Sequence, residues 1–216
     1  MDKRKQEGVM RLTKYLARQA KRPDGFFGRH IMGRMFDIAN ARLNDFALEV
    51  LALKRGDNVL EIGFGRGTLL SRIADATPQG LVVGIDFSPD MVNAARKKNK
   101  RYIDNGLIRI NQTDLQDIDY PGGSFDKVFT GNTIYFWPEP EEDIKKIKQV
   151  MKQGGTLVIG FRTKEQMENI PITQYEFRLY SEEDVCQLLH AAGFSQVSVK
   201  ERAQSGFDSY CAVAVK

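Results

Sequence analysis

Val59-Leu60-Glu61-Ile62-Gly63-Phe64-Gly65-Arg66-Gly67 is the stretch on which the fold turns. A short apolar run, of the kind that fills a buried strand, leads into a turn with glycine at every second position, and a helical pattern begins near Thr68. Glycines at such a turn let the backbone take positive φ and approach a ligand closely. A dinucleotide fingerprint would need glycine or alanine at the sixth position counted from Gly63, where Thr68 stands, and its third glycine would come one residue later. The carboxyl of Glu61, two residues before the first glycine, is a poor neighbour for a pyrophosphate and a good one for a cation. The spacing therefore favours a nucleoside ligand without a pyrophosphate.

Outward from this stretch, apolar runs at 58–62, 81–85, 107–110, 127–130 and 156–161 alternate with segments of helical periodicity, such as Leu69, Leu70, Ile73, Ala74 and Ile144, Ile147, Val150, Met151. Continuous apolar strands separated by helices imply a parallel sheet covered on both faces, so the fold class is α/β. Ser88-Pro89-Asp90 supplies an N-cap, a proline at the first helical position and an acid at the positive helix end. Ser181 followed by Glu182, Glu183 and Asp184 starts a later helix that Gly193 can close. Gly154-Gly155 is expected to stop the helix that begins near Glu139. Runs at 196–200 and 210–215, with no helix between them, predict a hairpin at the sheet edge.

The first 53 residues read differently, as two helices at 9–22 and 31–53 around the turn Pro23-Asp24-Gly25. The expected organisation is an N-terminal helical appendage over 1–53, serving as a substrate lid, on a core of 54–216. Charge is concentrated in the first part of this appendage. The 216 residues hold 32 Lys and Arg against 28 Asp and Glu, net +4, yet residues 1–34 carry ten basic and three acidic groups and the rest 22 and 25. The basic balance belongs to the appendage.

Composition excludes several classes. With 42% hydrophobic and 28% charged residues the chain is neither disordered nor low-complexity. Cys186 and Cys211 are too few for a disulfide framework and lack zinc-site spacing, and His30 and His190 complete the histidines, so no metal site is expected. No secretory signal and no apolar run of about 18–20 residues is present, which leads to the expectation of a cytoplasmic protein with no membrane partner.

At this point the sequence resembles the class I S-adenosylmethionine-dependent methyltransferases of the small-molecule, methyltransferase domain 11 type, closely over about 56–162 and loosely elsewhere. Glu61-x-Gly63-x-Gly65-x-Gly67 is similar to the family's first motif, whose loop contacts the methionine part of the cofactor. Val83-Gly84-Ile85-Asp86-Phe87-Ser88 resembles the second, with Asp86 as acceptor for both ribose hydroxyls and Phe87 beside it. Thr113-Asp114-Leu115 looks like the adenine-binding segment, the acid facing the amino group and the Leu115 backbone the ring. The stretch 150–157 resembles the fifth motif. The resemblance implies a Rossmann-like sheet of seven strands, mostly parallel with the last antiparallel, with S-adenosylmethionine as cofactor and S-adenosylhomocysteine as product.

Methyl transfer from a sulfonium is an in-line displacement in which placement does much of the work, so no dedicated base is required by the chemistry. The acceptor is expected to meet the segments after strands 4 and 5 and the N-terminal helices. Asn132-Thr133-Ile134-Tyr135-Phe136-Trp137-Pro138 partly echoes the Asn-Pro-Pro-Tyr motif of amino-group methyltransferases, with Thr133 and Ile134 in place of the rigid prolines. Asn132 is assigned to the cofactor loop; Tyr135, Trp137, Arg162 and Tyr175 are candidate acceptor contacts; His30 and Tyr135 are the candidate bases. A small organic acceptor, anionic or aromatic, leads. The alternatives are an RNA or ribosomal methyltransferase using the basic N-terminal segment and a non-catalytic cofactor-binding protein; a dedicated nucleic-acid module is not seen.

Overall fold

The computed structural model describes residues 3–21, 33–204 and 206–216. The glycine stretch lies where the sequence reading places it: β1 (Val59–Ile62) enters the turn and α3 (Thr68–Ala76) leaves it. Around β1 the sheet is built from β2 (Val82–Asp86), β3 (Ile108–Gln112), β4 (Phe125–Gly131), β5 (Met151–Phe161), β6 (Ser195–Arg202) and β7 (Ser209–Val215), in the order β3-β2-β1-β4-β5-β7-β6. The first five strands pair in parallel, and β7 runs antiparallel to both β5 and β6. The seven-stranded, mostly parallel Rossmann-like sheet and its closing hairpin are therefore as the sequence implies.

Alternation along each strand divides the core into two layers. Val59, Val82 and Val158 lie in one cluster with Leu43, Phe46, Ala47 and Leu51 of α2 (Gly33–Leu51), Leu69 and Ile73 of α3, and Val92 and Ala95 of α4 (Pro89–Lys98). Leu60, Val83 and Leu157 face the other way, onto Ile144 and Ile147 of α6 (Pro140–Val150) and Val185 and Leu189 of α8 (Glu182–Ala191). Each such side chain contributes roughly 1.5–3 kcal/mol on burial. α2 is thus a layer of the core: a Cβ at Gly160 would lie 3.2 Å from the Leu43 side chain, so glycine lets helix and strand come together. α1 (Lys3–Lys21) instead rests on the 3₁₀ turn Pro171–Gln174, with Ala17 and Gln19 buried.

The caps act as expected at two helices. The Ser88 hydroxyl accepts from the Met91 amide with Pro89 in the first turn, and Ser181 and Asp184 form a reciprocal capping box. Gly193 follows α8 with φ 77°, the left-handed conformation that ends a helix. Gly154-Gly155 departs from expectation. α6 ends at Val150, and the glycines belong to β5. There Gly154 takes φ 75°, while a Cβ on Gly155 would come within 2.8 Å of the Lys152 carbonyl oxygen and 3.1 Å of that of Asp126. The pair makes the irregular step by which β5 falls into register with β4 between Phe125 and Lys127. Two further short helices, α5 (Lys100–Asp104) and α7 (Lys164–Met167), complete the described α-helices.

Candidate cofactor and acceptor site

Strand order reverses between β1 and β4, and in open α/β sheets the crevice beyond the carboxyl ends at that point receives the ligand. One wall is the glycine turn. Gly63, Gly65 and Gly67 have φ of 71°, 56° and 70°, a run of left-handed residues that any side chain would strain. Their surroundings differ. A Cβ on Gly63 would stand 2.5 Å from the Thr133 methyl and one on Gly67 2.7 Å from Ala95 Cβ, whereas a Cβ on Gly65 would meet no protein atom within 4 Å. Gly65 therefore borders open space, and it is the position where an added side chain would compete with a ligand. Gly67 precedes α3 without any side-chain cap.

Two carboxyls flank this turn. Glu61 is 5% exposed, and its Oε2 is buried without a hydrogen-bond partner. Burial, with the charge of Asp86 added to it, pushes the Glu61 carboxyl up to about 8. Asp86, at the end of β2, accepts the Gly65 amide on Oδ2 at 3.0 Å and the Ser88 amide on Oδ1 at 2.9 Å. Burial raises Asp86 to about 6, the Ser88 and Gly65 amides pull it down, and the charge of Asp114 pushes it up. Phe87 is half-buried beside it, Asp114 is exposed at the start of the 3₁₀ turn Leu115–Asp117, and Leu115 is buried. Asp86 thus interacts by charge with both Glu61 and Asp114 and is bonded to the glycine turn.

Several residues that hold the crevice are not apparent in the sequence. Asn99, fully buried, donates to the carbonyls of Gly67 and Ala95, each at 2.9 Å, and so ties the end of the glycine turn to α4. The Thr130 hydroxyl donates to the Ile62 carbonyl at 3.0 Å and touches the Thr133 hydroxyl, which sets the Thr133 methyl against Gly63. Asn132 adopts φ 56° and donates to Asn40 of α2 at 2.9 Å. Of these, Asn132 is already assigned in the sequence from its place after a strand; Asn99, between α4 and α5, and Asn40, within α2, carry no such signal.

The acceptor candidates separate. Tyr135 is 3% exposed; its hydroxyl accepts the Arg162 amide at 2.5 Å and lies within hydrogen-bond distance of Asn132 Oδ1 and the Arg162 carbonyl. Burial raises its phenol above the ordinary tyrosine value, against the pull of Arg162. It acts as a staple between the loops after β4 and β5. Trp137 is likewise part of the core. Arg162 is half-buried, donates to the Ala39 carbonyl at 3.1 Å and stacks over Phe207 at 4.8 Å. Tyr175 lies under Lys14 at 5.4 Å. His30 falls outside the described residues, and His190 is exposed on α8.

Residues 60–159 match the family model described as a methyltransferase domain. The chain is 27% identical over 86% of its length to 98% of the uncharacterized methyltransferase YdaC of Bacillus subtilis (strain 168). It is 33% identical over 49% of its length to 50% of a phosphatidylethanolamine N-methyltransferase of Cereibacter sphaeroides. A solved structure of a SAM-dependent methyltransferase from Aquifex aeolicus superposes with a TM-score of 0.71 at 23% identity, over 86% of this chain and 97% of that one. Among the described residues no helix is long and apolar enough to cross a membrane.

Proposed function

We propose, as this chain belongs to the class I S-adenosylmethionine-dependent methyltransferases and is an enzyme, that it binds S-adenosylmethionine in the crevice between β1 and β4 and transfers its methyl group to a small organic acceptor. The observation that carries the reading is the partnerless Oε2 of Glu61. A buried polar atom without a partner is costly, and Glu61 feels the charge of Asp86, which in turn accepts the amide of Gly65, the glycine that borders open space. A cationic ligand seated over Gly65 would supply the missing partner. The residues present fit such a cofactor.

The chemistry that the bound cofactor supplies is a sulfonium methyl open to in-line attack. The protein's part is placement. Glu61 would hold the cationic methionine end, with the Gly63–Gly67 backbone closing around it. Asp86 keeps free lone pairs on both oxygens after accepting the Gly65 and Ser88 amides, so it can still take two hydroxyl donors. Phe87, Asp114 and Leu115 would border the base, and Asn132 the reacting end. Product S-adenosylhomocysteine would leave from the same site.

For the acceptor, the segments beyond β4 and β5 and the start of α2 provide the border, with Arg162 and Tyr175 at its rim and Tyr135 and Trp137 as support behind it. Proximity and orientation can supply about 7–11 kcal/mol, so this wall need only orient the acceptor. Titration calorimetry with S-adenosylmethionine checks the proposal: binding by the wild-type chain and its loss in Asp86→Ala and Gly65→Val are expected, and absence of binding by the wild type would overturn it. A methyl-transfer screen across phenols, acids, amines and lipid headgroups then identifies the acceptor.

A further inference from the structure

Among the described residues, the exposed large hydrophobic side chains are Val9, Met10, Leu12 and Tyr15 on α1, Ile38 on α2 and Phe207 between β6 and β7. Phe207 precedes β7, whose Tyr210 pairs with Phe161 at the carboxyl end of β5. Ile38 stands beside Ala39 and Asn40, which hold Arg162 and Asn132 at that same edge. α1 is fixed there through Lys14 over Tyr175 and the ion pair of Lys21 with Glu176 at 3.2 Å. The cleft proposed above for the acceptor opens at this edge.

α1 is amphipathic in a particular way. At about 100° per residue, Val9, Leu12 and Leu16 share one face, while Arg11, Lys14 and Arg18 lie on roughly the opposite one. Toward the carboxyl end of that face Leu16 is half-buried, whereas Val9, at the edge of a groove shared with Pro171, Gln174 and Tyr175, and Leu12 remain 60% and 58% exposed. Residues 1–34 carry the chain's positive charge, ten basic against three acidic groups. A cationic helix with an uncovered apolar face is the form that lies in the plane of a bilayer surface.

We propose that α1, with Ile38 and Phe207 beside it, docks this protein onto an anionic lipid bilayer, so that the acceptor cleft faces the membrane and receives an amphiphilic acceptor held there. The charge and the apolar surface are accounted for together by this occupant. A nucleic acid would use the cations and leave Val9, Leu12 and Ile38 in water. A second copy of the chain would bring two cationic helices together. Surface docking needs no spanning helix, so the sequence-based expectation of no membrane partner changes only as to peripheral contact. The orientation of the cleft rests on the function proposed above; bilayer binding does not.

The test is co-sedimentation of the full chain with phosphatidylcholine vesicles, with and without about 30% phosphatidylglycerol, at moderate salt. Partitioning at least roughly tenfold stronger onto the anionic vesicles is expected, together with a roughly tenfold loss in Val9→Glu/Leu12→Glu and a comparable loss in Arg11→Glu/Arg18→Glu. Calorimetric binding of S-adenosylmethionine by each variant shows that the fold persists, and its failure in the wild type would sink the proposed function without touching the vesicle result. Absence of vesicle binding would overturn the docking proposal. So would binding that the two apolar substitutions leave unchanged, or retention of an RNA oligomer in place of vesicles.

Discussion

Asp86 reaches across from β2 to take the Gly65 amide at 3.0 Å, so the acid that ends one strand shapes the glycine turn that follows its neighbour. The two elements read from separate stretches of sequence are one unit. A substitution at Asp86 therefore acts twice, by removing a ligand acceptor and by releasing the turn.

That double role predicts a graded series. Asp86→Asn keeps one carbonyl acceptor and is expected to weaken S-adenosylmethionine binding less than Asp86→Ala does. The Ala variant also leaves the Gly65 and Ser88 amides without their acceptor, at about 1–3 kcal/mol of stability for each buried group. Calorimetry and chemical denaturation on the two variants separate the effects; equal loss of stability in both would argue against the turn-holding role.

Glu61 gives a pH signature. Its carboxyl is raised to about 8 and that of Asp86 to about 6, against about 4 for such groups in an unfolded chain. Between those limits the folded chain binds more protons, so its stability is fullest below about pH 4 as far as these two groups are concerned and falls as pH rises toward 8. Glu61→Gln should flatten that slope in thermal unfolding followed from pH 5 to 8.

Cofactor binding should carry the opposite sign. A cation over Glu61 favours its ionised form, so binding releases a proton and tightens as pH rises from 6 to 8. Calorimetry in buffers of different ionisation enthalpy reads the proton directly. Glu61→Gln is expected to bind roughly 10–100-fold more weakly, the worth of one hydrogen bond to a charged group, and to lose the pH dependence.

The glycines predict different failures. Gly63→Ala places a Cβ 2.5 Å from the Thr133 methyl at φ 71°, so the folded chain itself is destabilised. Gly65→Ala meets no protein atom at φ 56° and is expected to cost only the backbone strain, about 1–2 kcal/mol, while cofactor binding drops more steeply. Melting temperature against binding constant distinguishes them; a Gly65→Ala chain that binds normally would show that the open space is not the cofactor's.

Tyr135→Phe leaves the Arg162 amide and Asn132 Oδ1 without the phenol that joins them. A loss of about 1–3 kcal/mol in stability is expected. The pH profile of methyl transfer should keep its shape, whereas a catalytic phenol would lose its limb of the profile.

The features legible in the sequence are those set by neighbours along the chain. Alternating apolar runs, the glycine turn, Ser88 and Ser181 as caps and the acids at strand ends all declare themselves within a few residues. Features set by distant segments were not legible. Asn99 serves Gly67 from 32 positions away and Asn40 serves Asn132 from 92, and no local pattern distinguishes them from asparagines that stay on the surface. Tyr135 shows the same limit: its aromatic loop context reads as a pocket wall, and its place between two loops in the core depends on where β5 ends. Gly154 and Gly155 read as a helix stop because a strand irregularity and a helix end use the same residue.

The closing hairpin has a consequence for how the chain is born. Among the described strands β6 pairs with β7 alone, and β7 is the strand that joins it to β5. Emerging from the ribosome, β6 precedes its sole partner, and for that interval it is an open edge beside an unfinished sheet. Lys200, Glu201 and Arg202 at its end, and side chains that stay mostly in water once folded, suit a segment that must wait without sticking to its neighbours.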